Sequence, residues 1–198
     1  SRKVTFPNGR GQELAARLDV LAGEPRPRPY AIFAHCFTCS KDIKAARRIA
    51  QRLTALGFAV LRFDFTGLGH SEGEFANTHF TSNVEDLVRA AAYLEERGLP
   101  PNILIGHSLG GAAVLAAAAR IAASRAIVTI GAPADPAHVI HNLGIAIEEI
   151  EAEGEAEVKL GGRPFTIKRA FLEDVAATRL EDAIRSLDRA LLVLHAPL

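Results

Sequence analysis

The stretch "NILIGHSLGGAAVLAAAA", residues 102–119, decides the fold because an apolar run passes directly into an alanine-rich run. The first run is typical of a buried strand and the second of a buried helix. Between them, Ser108 stands in the pattern Gly106-x-Ser108-x-Gly110. This spacing predicts a sharp strand-to-helix turn, because a Cβ at either glycine would clash across the turn.

The predicted turn places the Ser108 hydroxyl where acyl transfer needs a nucleophile. A strained turn of this kind lifts the hydroxyl above the sheet edge, beside the positive end of the following helix. The backbone N–H of Leu109 then points towards the carbonyl oxygen of a substrate. The alternative interpretation is a glycine-rich turn whose serine has no chemical role.

Further apolar runs on both sides of this stretch predict an α/β fold with a doubly wound, mostly parallel sheet. Residues 42–56 and 83–97 have helical periodicity, and strands that alternate with helices form a parallel sheet whose ligands bind at the carboxyl ends of the strands. Residues 4–6 and 14–20 alternate apolar and polar positions, which predicts an antiparallel hairpin at the sheet edge. The other apolar runs are "YAIFAHC" (30–36), "FAVLRFDF" (58–65), "AIVTIGAP" (126–133) and "ALLVLHA" (190–196).

Residues 134–189 separate two predicted strands by far more than one helix, and we interpret them as a cap or lid insertion. The core domain then comprises residues 1–133 and 190–198. Within the insertion, "EAEVKLGGRPFTIK" (155–168) predicts a hairpin, and the acid-rich residues 148–157 predict a solvated helix and turn. Apolar cap residues are expected to line a pocket for a hydrophobic acyl or alcohol group: Ile140, Leu143, Ile147, Phe165, Phe171 and Leu172.

Composition excludes several classes of function for this chain of 198 residues. The 23 basic and 23 acidic residues leave a net charge of zero, so no global field attracts nucleic acid. No apolar stretch approaches the roughly 20 residues of a membrane span, and two cysteines cannot form a secreted disulfide framework. We therefore expect a cytoplasmic protein with a small-molecule acyl substrate, no nucleic-acid or membrane partner, no cofactor and no metal. The composition does not decide between a monomer and a homodimer.

Three motifs resemble those of the α/β-hydrolase superfamily, in the same order and across essentially the whole chain: "AHCFTCSKD" (34–42), "DFTGLGHSEG" (64–73) and "GHSLGG" (106–111). The combination is most similar to the hydrolase half of bacterial proteins in which an OsmC-like domain follows. The resemblance implies the α/β-hydrolase fold and a serine hydrolase of ester, thioester or related acyl substrates. It also implies an acyl-enzyme on Ser108 and a C-terminal OsmC-like domain in the parent chain.

The resemblance gives "AHCFTCSKD" a role in transition-state stabilisation. The loop after the third strand supplies the second oxyanion N–H in this superfamily, and here that amide belongs to Phe37. Cys36 occupies the place of the usual glycine. Cys36 and Cys39 are spaced C-x-x-C, which allows three interpretations: a redox dithiol, two ligands of a zinc ion, or two buried thiols. No second pair of zinc ligands is visible in the sequence.

The motif "DFTGLGHSEG" is interpreted as structural. Glycines at 67 and 69 allow positive φ, while Asp64 and Ser71 are expected to make local hydrogen bonds to the backbone of the turn. The alternative is a phosphate-binding loop, but the third glycine and the opening helix of such a loop are missing.

The Ser108 hydroxyl needs a histidine base oriented by a carboxylate. The resemblance implies an acid after the strand at 190–196 and a histidine after one further strand, so both are expected beyond Leu198. We therefore expect the last strand and helix of the fold to be absent from this chain, which would leave a bare sheet edge and a nearly inactive fragment.

Within the chain, Asp135 is the alternative acid, because some superfamily members take theirs from this place. The following histidines are expected to be structural or on the surface: His35, His70, His107, His138, His141 and His195. Two other functions stay open. One is a thiol redox role of Cys36 and Cys39 linked to an OsmC-like partner domain, and the other is a non-catalytic scaffold that binds a ligand.

Overall fold

A seven-stranded sheet forms the centre of the computed structural model, which describes residues 1–23, 29–144 and 146–196. The strands are β1 (Arg2–Pro7), β2 (Glu13–Asp19), β3 (Tyr30–Ala34), β4 (Ala59–Phe63), β5 (Pro101–His107), β6 (Ala126–Ile130), β7 (Glu155–Leu160), β8 (Arg163–Lys168) and β9 (Ala190–Leu194). The order across the large sheet is β1-β2-β4-β3-β5-β6-β9, and β7 and β8 form a separate hairpin. Every neighbouring pair from β4 to β9 is parallel, whereas β1–β2 and β2–β4 are antiparallel. The predicted fold class is confirmed.

Helices cover both faces of the sheet, which explains why most residues of its central strands are apolar and buried. The helices are α1 (Lys44–Ala55), α2 (Phe80–Glu95), α3 (Leu109–Ala117), α4 (Ala146–Glu153), α5 (Arg169–Ala177) and α6 (Leu180–Arg185). Phe33 and Val60 pack with Ala46 and Ala50 of α1 on one face. The alternate residues of the same strands pack with α2 and α3 on the other face. All five residues of β4 are buried as a result.

The first residue of α2 differs from the sequence-based prediction. The helix begins at Phe80 rather than Asn83, because His79 and Ser82 form a reciprocal cap. The Ser82 N–H donates to His79 Nδ1 at 3.2 Å, and the His79 N–H donates to Ser82 Oγ at 2.9 Å. The buried Phe80 already belongs to the apolar periodicity of Val84 and Leu87, so the sequence contained a signal for this earlier start.

The intervening segment, defined here as residues 134–189, contains a 3-10 turn at Pro136–Leu143 followed by α4, β7, β8, α5 and α6. The hairpin turns at Gly161 and Gly162, as the sequence predicts. The glutamates of α4 and β7 are exposed, which agrees with a solvated acidic run. Asp174 of α5 accepts hydrogen bonds from the Thr81 N–H at 2.8 Å and the Thr81 hydroxyl at 2.6 Å, which ties the segment to α2.

Strand β9 is an edge of the described sheet and pairs only with β6 there. Its residues 191–194 are 43–58% exposed, so apolar side chains lie open on both faces of the strand. No helix in the described part of the chain is long and apolar enough to cross a bilayer.

Candidate active site

Ser108 occupies a strained backbone position between β5 and α3. Its φ of 54° and ψ of −125° make it the one non-glycine residue with positive φ among those described. Such a conformation costs about 1–3 kcal/mol and persists only where neighbouring structure holds it. Hydrogen bonds from the Ser108 N–H to the Ile130 carbonyl at 2.9 Å, and from the Gly111 N–H to the Ser108 carbonyl at 2.8 Å, supply that restraint.

The two glycines of the motif are required for different reasons. A Cβ at Gly106 would overlap the backbone of Gly110 and Gly111, across the turn as predicted. A Cβ at Gly110 would instead overlap the carbonyl groups of Ala34 and His35 at the end of β3. Gly110 therefore lets the first turn of α3 lie directly against the loop that contains Phe37.

Two backbone N–H groups beside this contact donate no hydrogen bond to any described residue. The Leu109 N–H belongs to the first residue of α3, where a helix offers no acceptor. The Phe37 N–H lies in the loop between β3 and α1, two residues after His35. Both amides are thus free to donate to a bound group.

The loop that contains Phe37 is cross-linked by a disulfide between Cys36 and Cys39. The Cys39 N–H also donates to the Cys36 carbonyl at 3.1 Å, so the four residues form a closed turn. Both cysteines are half-buried. Among the described residues, no group of three or more histidine, cysteine or carboxylate side chains is placed to hold a metal ion.

Asp64 joins this loop to the loop after β4. Its fully buried carboxylate accepts hydrogen bonds from the Lys41 N–H and Lys41 Nζ, both at 2.6 Å, and from the His70 N–H at 2.9 Å. The Ser71 hydroxyl donates to the Asp64 carbonyl at 2.6 Å. The backbone contacts agree with the predicted structural role. Lys41 was missed, since nothing in its local sequence indicates that its side chain is buried against a carboxylate 23 residues away.

His35 is a structural residue of the same loop. Its imidazole is fully buried, and Nδ1 lies 2.8 Å from the Cys36 carbonyl oxygen, which identifies Nδ1–H as the donor. Burial is the main reason that the pKa of His35 falls to about 4, so the ring is neutral at pH 7. A neutral buried ring in this position holds the turn rather than accepting protons.

Asp86 of α2 provides a test of how buried groups set the pH dependence of stability. Its carboxylate accepts from the Thr66 N–H and hydroxyl, both at 2.8 Å, yet burial raises its pKa from 3.8 to about 6. Native Asp86 therefore binds more protons than in the unfolded chain between these values, and its contribution to stability falls as pH rises. His35, whose pKa drops from 6.5 to about 4, contributes in the opposite direction.

Asparagine cannot ionise, so we expect Asp86→Asn to remove the loss of stability that Asp86 causes as pH rises. Its side-chain oxygen can still accept the hydrogen bonds from Thr66. Stability should then rise more steeply from pH 4 to 6, and the variant should exceed the wild type by roughly 1–3 kcal/mol at pH 7. Urea unfolding of both proteins at several pH values measures this difference. Parallel pH curves would contradict the assignment.

A cavity of about 770 Å³ opens beside Ser108. From the intervening segment, it is lined by Ala134, Asp135, His138, Val139 and Ile184, and none of the six apolar residues expected there contributes. Leu143, Phe171 and Leu172 are instead buried in the main core, and Ile140, Ile147 and Phe165 pack against it. The remaining lining residues include Leu109, Leu115, Thr129, Ala132, Leu191, Val193 and His195.

The structure brings Asp135 and two of the seven histidines to the cavity that contains Ser108. Asp135 Oδ1 accepts from the Ala137 N–H at 2.9 Å, so this carboxylate also begins the following 3-10 turn. His138 and His195 line the cavity, and His141 packs edge-on against His138 with 5.2 Å between ring centroids. His107 is outside it. Burial lowers the pKa of His107, and its Nδ1 has no hydrogen-bond partner in the described structure.

Comparison of the chain with known proteins finds similarity to hydrolases. A family model described as "Alpha/beta hydrolase family" matches residues 31–198. The chain is 32% identical over 130 residues to a rat palmitoyl-protein thioesterase, ABHD10, whose name places it in mitochondria, with 64% of this chain and 43% of the relative covered. It is 30% identical over 124 residues to a monoacylglycerol lipase of Mycolicibacterium smegmatis, with 61% of this chain and 43% of the relative covered. The chain thus spans less than half the length of either relative.

Among solved structures, the esterase domain of a Rhodothermus marinus protein is 52% identical, with a TM-score of 0.76 over 99% of this chain and 76% of that one. Est1E from Butyrivibrio proteoclasticus, at 24% identity and a TM-score of 0.85 over 97% of this chain and 78% of that one, shares the fold. The expected resemblance to proteins with an OsmC-like domain stays a prediction. With the family model matching most of its length, this chain belongs to the alpha/beta hydrolase family.

Proposed function

We propose that the protein is a serine hydrolase of ester, thioester or related acyl substrates. The observation that carries this proposal is the position of Ser108 on a strained turn at a cavity, next to the Leu109 N–H, which has no acceptor among the described residues. The names of the relatives, an esterase domain, a thioesterase and a lipase, support the same class of substrate.

In the proposed reaction, Ser108 Oγ attacks the acyl carbon and transfers its proton to a histidine base. The carbonyl oxygen becomes negatively charged and accepts hydrogen bonds from the Leu109 and Phe37 N–H groups, each worth about 10²–10³ in rate. The intermediate collapses to an acyl-Ser108 ester and releases the alcohol or thiol, which takes the proton from the histidine. Water, activated by the same base, then hydrolyses the ester.

We propose that the histidine and its carboxylate partner come from residues beyond Leu198, as the family resemblance implies. Asp135 is the alternative acid, because it lines the cavity of Ser108. His138 and His195 share that cavity, and substitution of each by alanine tests whether either is the base. The apolar lining residues Leu115 and Val139 favour a substrate whose acyl or alcohol group is partly hydrophobic.

The test uses the complete gene product and a fluorophosphonate that reacts with activated serines. We expect mass spectrometry to find the phosphonyl group on Ser108. Slower labelling in His138→Ala or His195→Ala would identify that histidine as the base. Absence of labelling at Ser108 in the complete protein would overturn the proposal and favour a non-catalytic scaffold that binds a ligand.

The disulfide favours a second candidate function, thiol redox chemistry at Cys36 and Cys39 linked to an OsmC-like partner domain. Thiol–disulfide exchange needs one thiolate that forms readily at neutral pH. The pH dependence of alkylation in the reduced protein tests this. A thiol pKa well below about 8.5 would support the candidate, and two ordinary values would remove it.

A further inference from the structure

An aromatic cluster connects the loop that contains Phe37 to the intervening segment. The Phe37 side chain is only 9% exposed and stacks on Phe171 of α5, with 4.8 Å between ring centroids and 24° between ring planes. Phe37 also contacts Phe75, with 5.3 Å between ring centroids, and Phe75 packs against Phe165 of β8 at 4.8 Å. The residue that offers the free N–H is therefore held through its side chain by two elements distant in sequence.

A polar contact from the same hairpin reaches the neighbouring peptide. The guanidinium of Arg163, the first residue of β8, donates a hydrogen bond to the Thr38 carbonyl. The same guanidinium lies over the Phe165 ring, 5.3 Å from its centroid. Side chain and backbone of the loop are thus both contacted by the intervening segment.

The loop also has restraints of its own, but they act on either side of Phe37. The disulfide closes the turn from Cys36 to Cys39, and Asp64 holds Lys41 at the far end. Neither contacts the Phe37 ring. The direction of the Phe37 N–H is set by the backbone φ and ψ angles around it. Packing of the Phe37 ring against Phe171 and Phe75 limits those angles.

We propose that Phe171 and Arg163 are positioning residues that orient the Phe37 N–H towards the developing oxyanion. This inference rests on the proposed hydrolase function. It makes the intervening segment part of the catalytic geometry, since an oxyanion donor acts only when it is aimed before the reaction begins.

The experiment compares variants in the complete gene product. Phe171→Leu removes the stacked ring but keeps an apolar side chain, and we expect kcat for an acyl ester to fall at least about tenfold while KM changes less than about threefold. Val175→Ala shortens another buried side chain of α5 and serves as the matched control. We expect its kcat to stay within about threefold of the wild type.

Arg163 supplies a second pair of variants that should not impair folding, because its side chain is exposed. Arg163→Met loses the donor to the Thr38 carbonyl and should lower kcat several-fold. Arg163→Lys retains a donor and should recover most of that loss. Equal rates for the Met and Lys variants would overturn the role of Arg163.

Amide hydrogen exchange of residues 35–41 gives a readout that does not depend on activity. We expect exchange in this loop to become several-fold faster in Phe171→Leu and to stay unchanged in Val175→Ala. Unchanged exchange and unchanged kcat in Phe171→Leu would overturn the inference. A wild type that is not labelled at Ser108 would overturn the hydrolase proposal instead, and the exchange result would still decide whether the segment holds the loop.

Discussion

Ser108→Ala should lower kcat of the complete protein by at least about 10³-fold and abolish labelling by a fluorophosphonate. In the proposed mechanism this variant loses the atom that forms the acyl-enzyme, while the amides of Leu109 and Phe37 and the cavity stay in place. KM should change little, because the hydroxyl contributes to the transition state rather than to ground-state binding. Steady-state hydrolysis of a chromogenic acyl ester measures both constants.

Ser186→Ala is the matched control for this prediction. Ser186 is an exposed serine at the end of α6, and its hydroxyl donates to the Asp182 carbonyl at 2.8 Å, away from the cavity. We expect full labelling and an unchanged rate. A Ser108→Ala protein that still turns over at more than a tenth of the wild-type rate would refute the assigned nucleophile.

Asp64→Ala should lower the free energy of unfolding by about 3–5 kcal/mol, because it removes the closest partner of the buried Lys41 ammonium and leaves only the partly exposed Asp42 carboxylate, 3.4 Å away. The side chains of Asp64 and Lys41 are 0% and 5% exposed, so water cannot replace the lost carboxylate without opening the loops. The N–H groups of Lys41 and His70 lose their acceptor as well. Chemical denaturation measured by circular dichroism gives the difference.

A surface ion pair provides the comparison. Glu181 and Arg185 form an i,i+4 pair at 2.6 Å, but both side chains are 73% exposed. Glu181→Ala should therefore have little measurable effect on stability, since water solvates both groups. The double variant Asp64→Leu with Lys41→Met should recover part of the loss, as it buries no unpaired charge. A loss in Asp64→Ala no larger than in Glu181→Ala would contradict the structural role of the buried pair.

The turn around Ser108 could be predicted from sequence because the residues that determine it are adjacent in the chain. A strand-like run, the Gly106-x-Ser108-x-Gly110 pattern and an alanine-rich run determine a turn, and the structure has that turn with Ser108 at positive φ. The structural role of Asp64 was also predictable, because two of its partners, His70 and Ser71, lie within the same short loop. Patterns of this kind depend on backbone sterics that a few residues decide.

The contacts that orient the site could not be predicted in the same way. Phe171 and Phe37 are 134 positions apart, and an apolar residue on an amphipathic helix indicates burial but not its neighbour. This is why Phe171 was expected to line a substrate pocket, whereas it packs against Phe37 in the loop between β3 and α1. The prediction of the residues that line the cavity was wrong for the same reason.

What the sequence alone determined is the order of strands and helices, the turn at Ser108 and the amide of Leu109 that follows it. The tertiary structure decided which groups surround that turn: Lys41 against Asp64, and Phe171 and Arg163 against the loop of Phe37. The physical reason is the separation along the chain of the residues that interact. Backbone geometry depends on adjacent residues, whereas the packing of side chains depends on how distant elements meet in the folded chain.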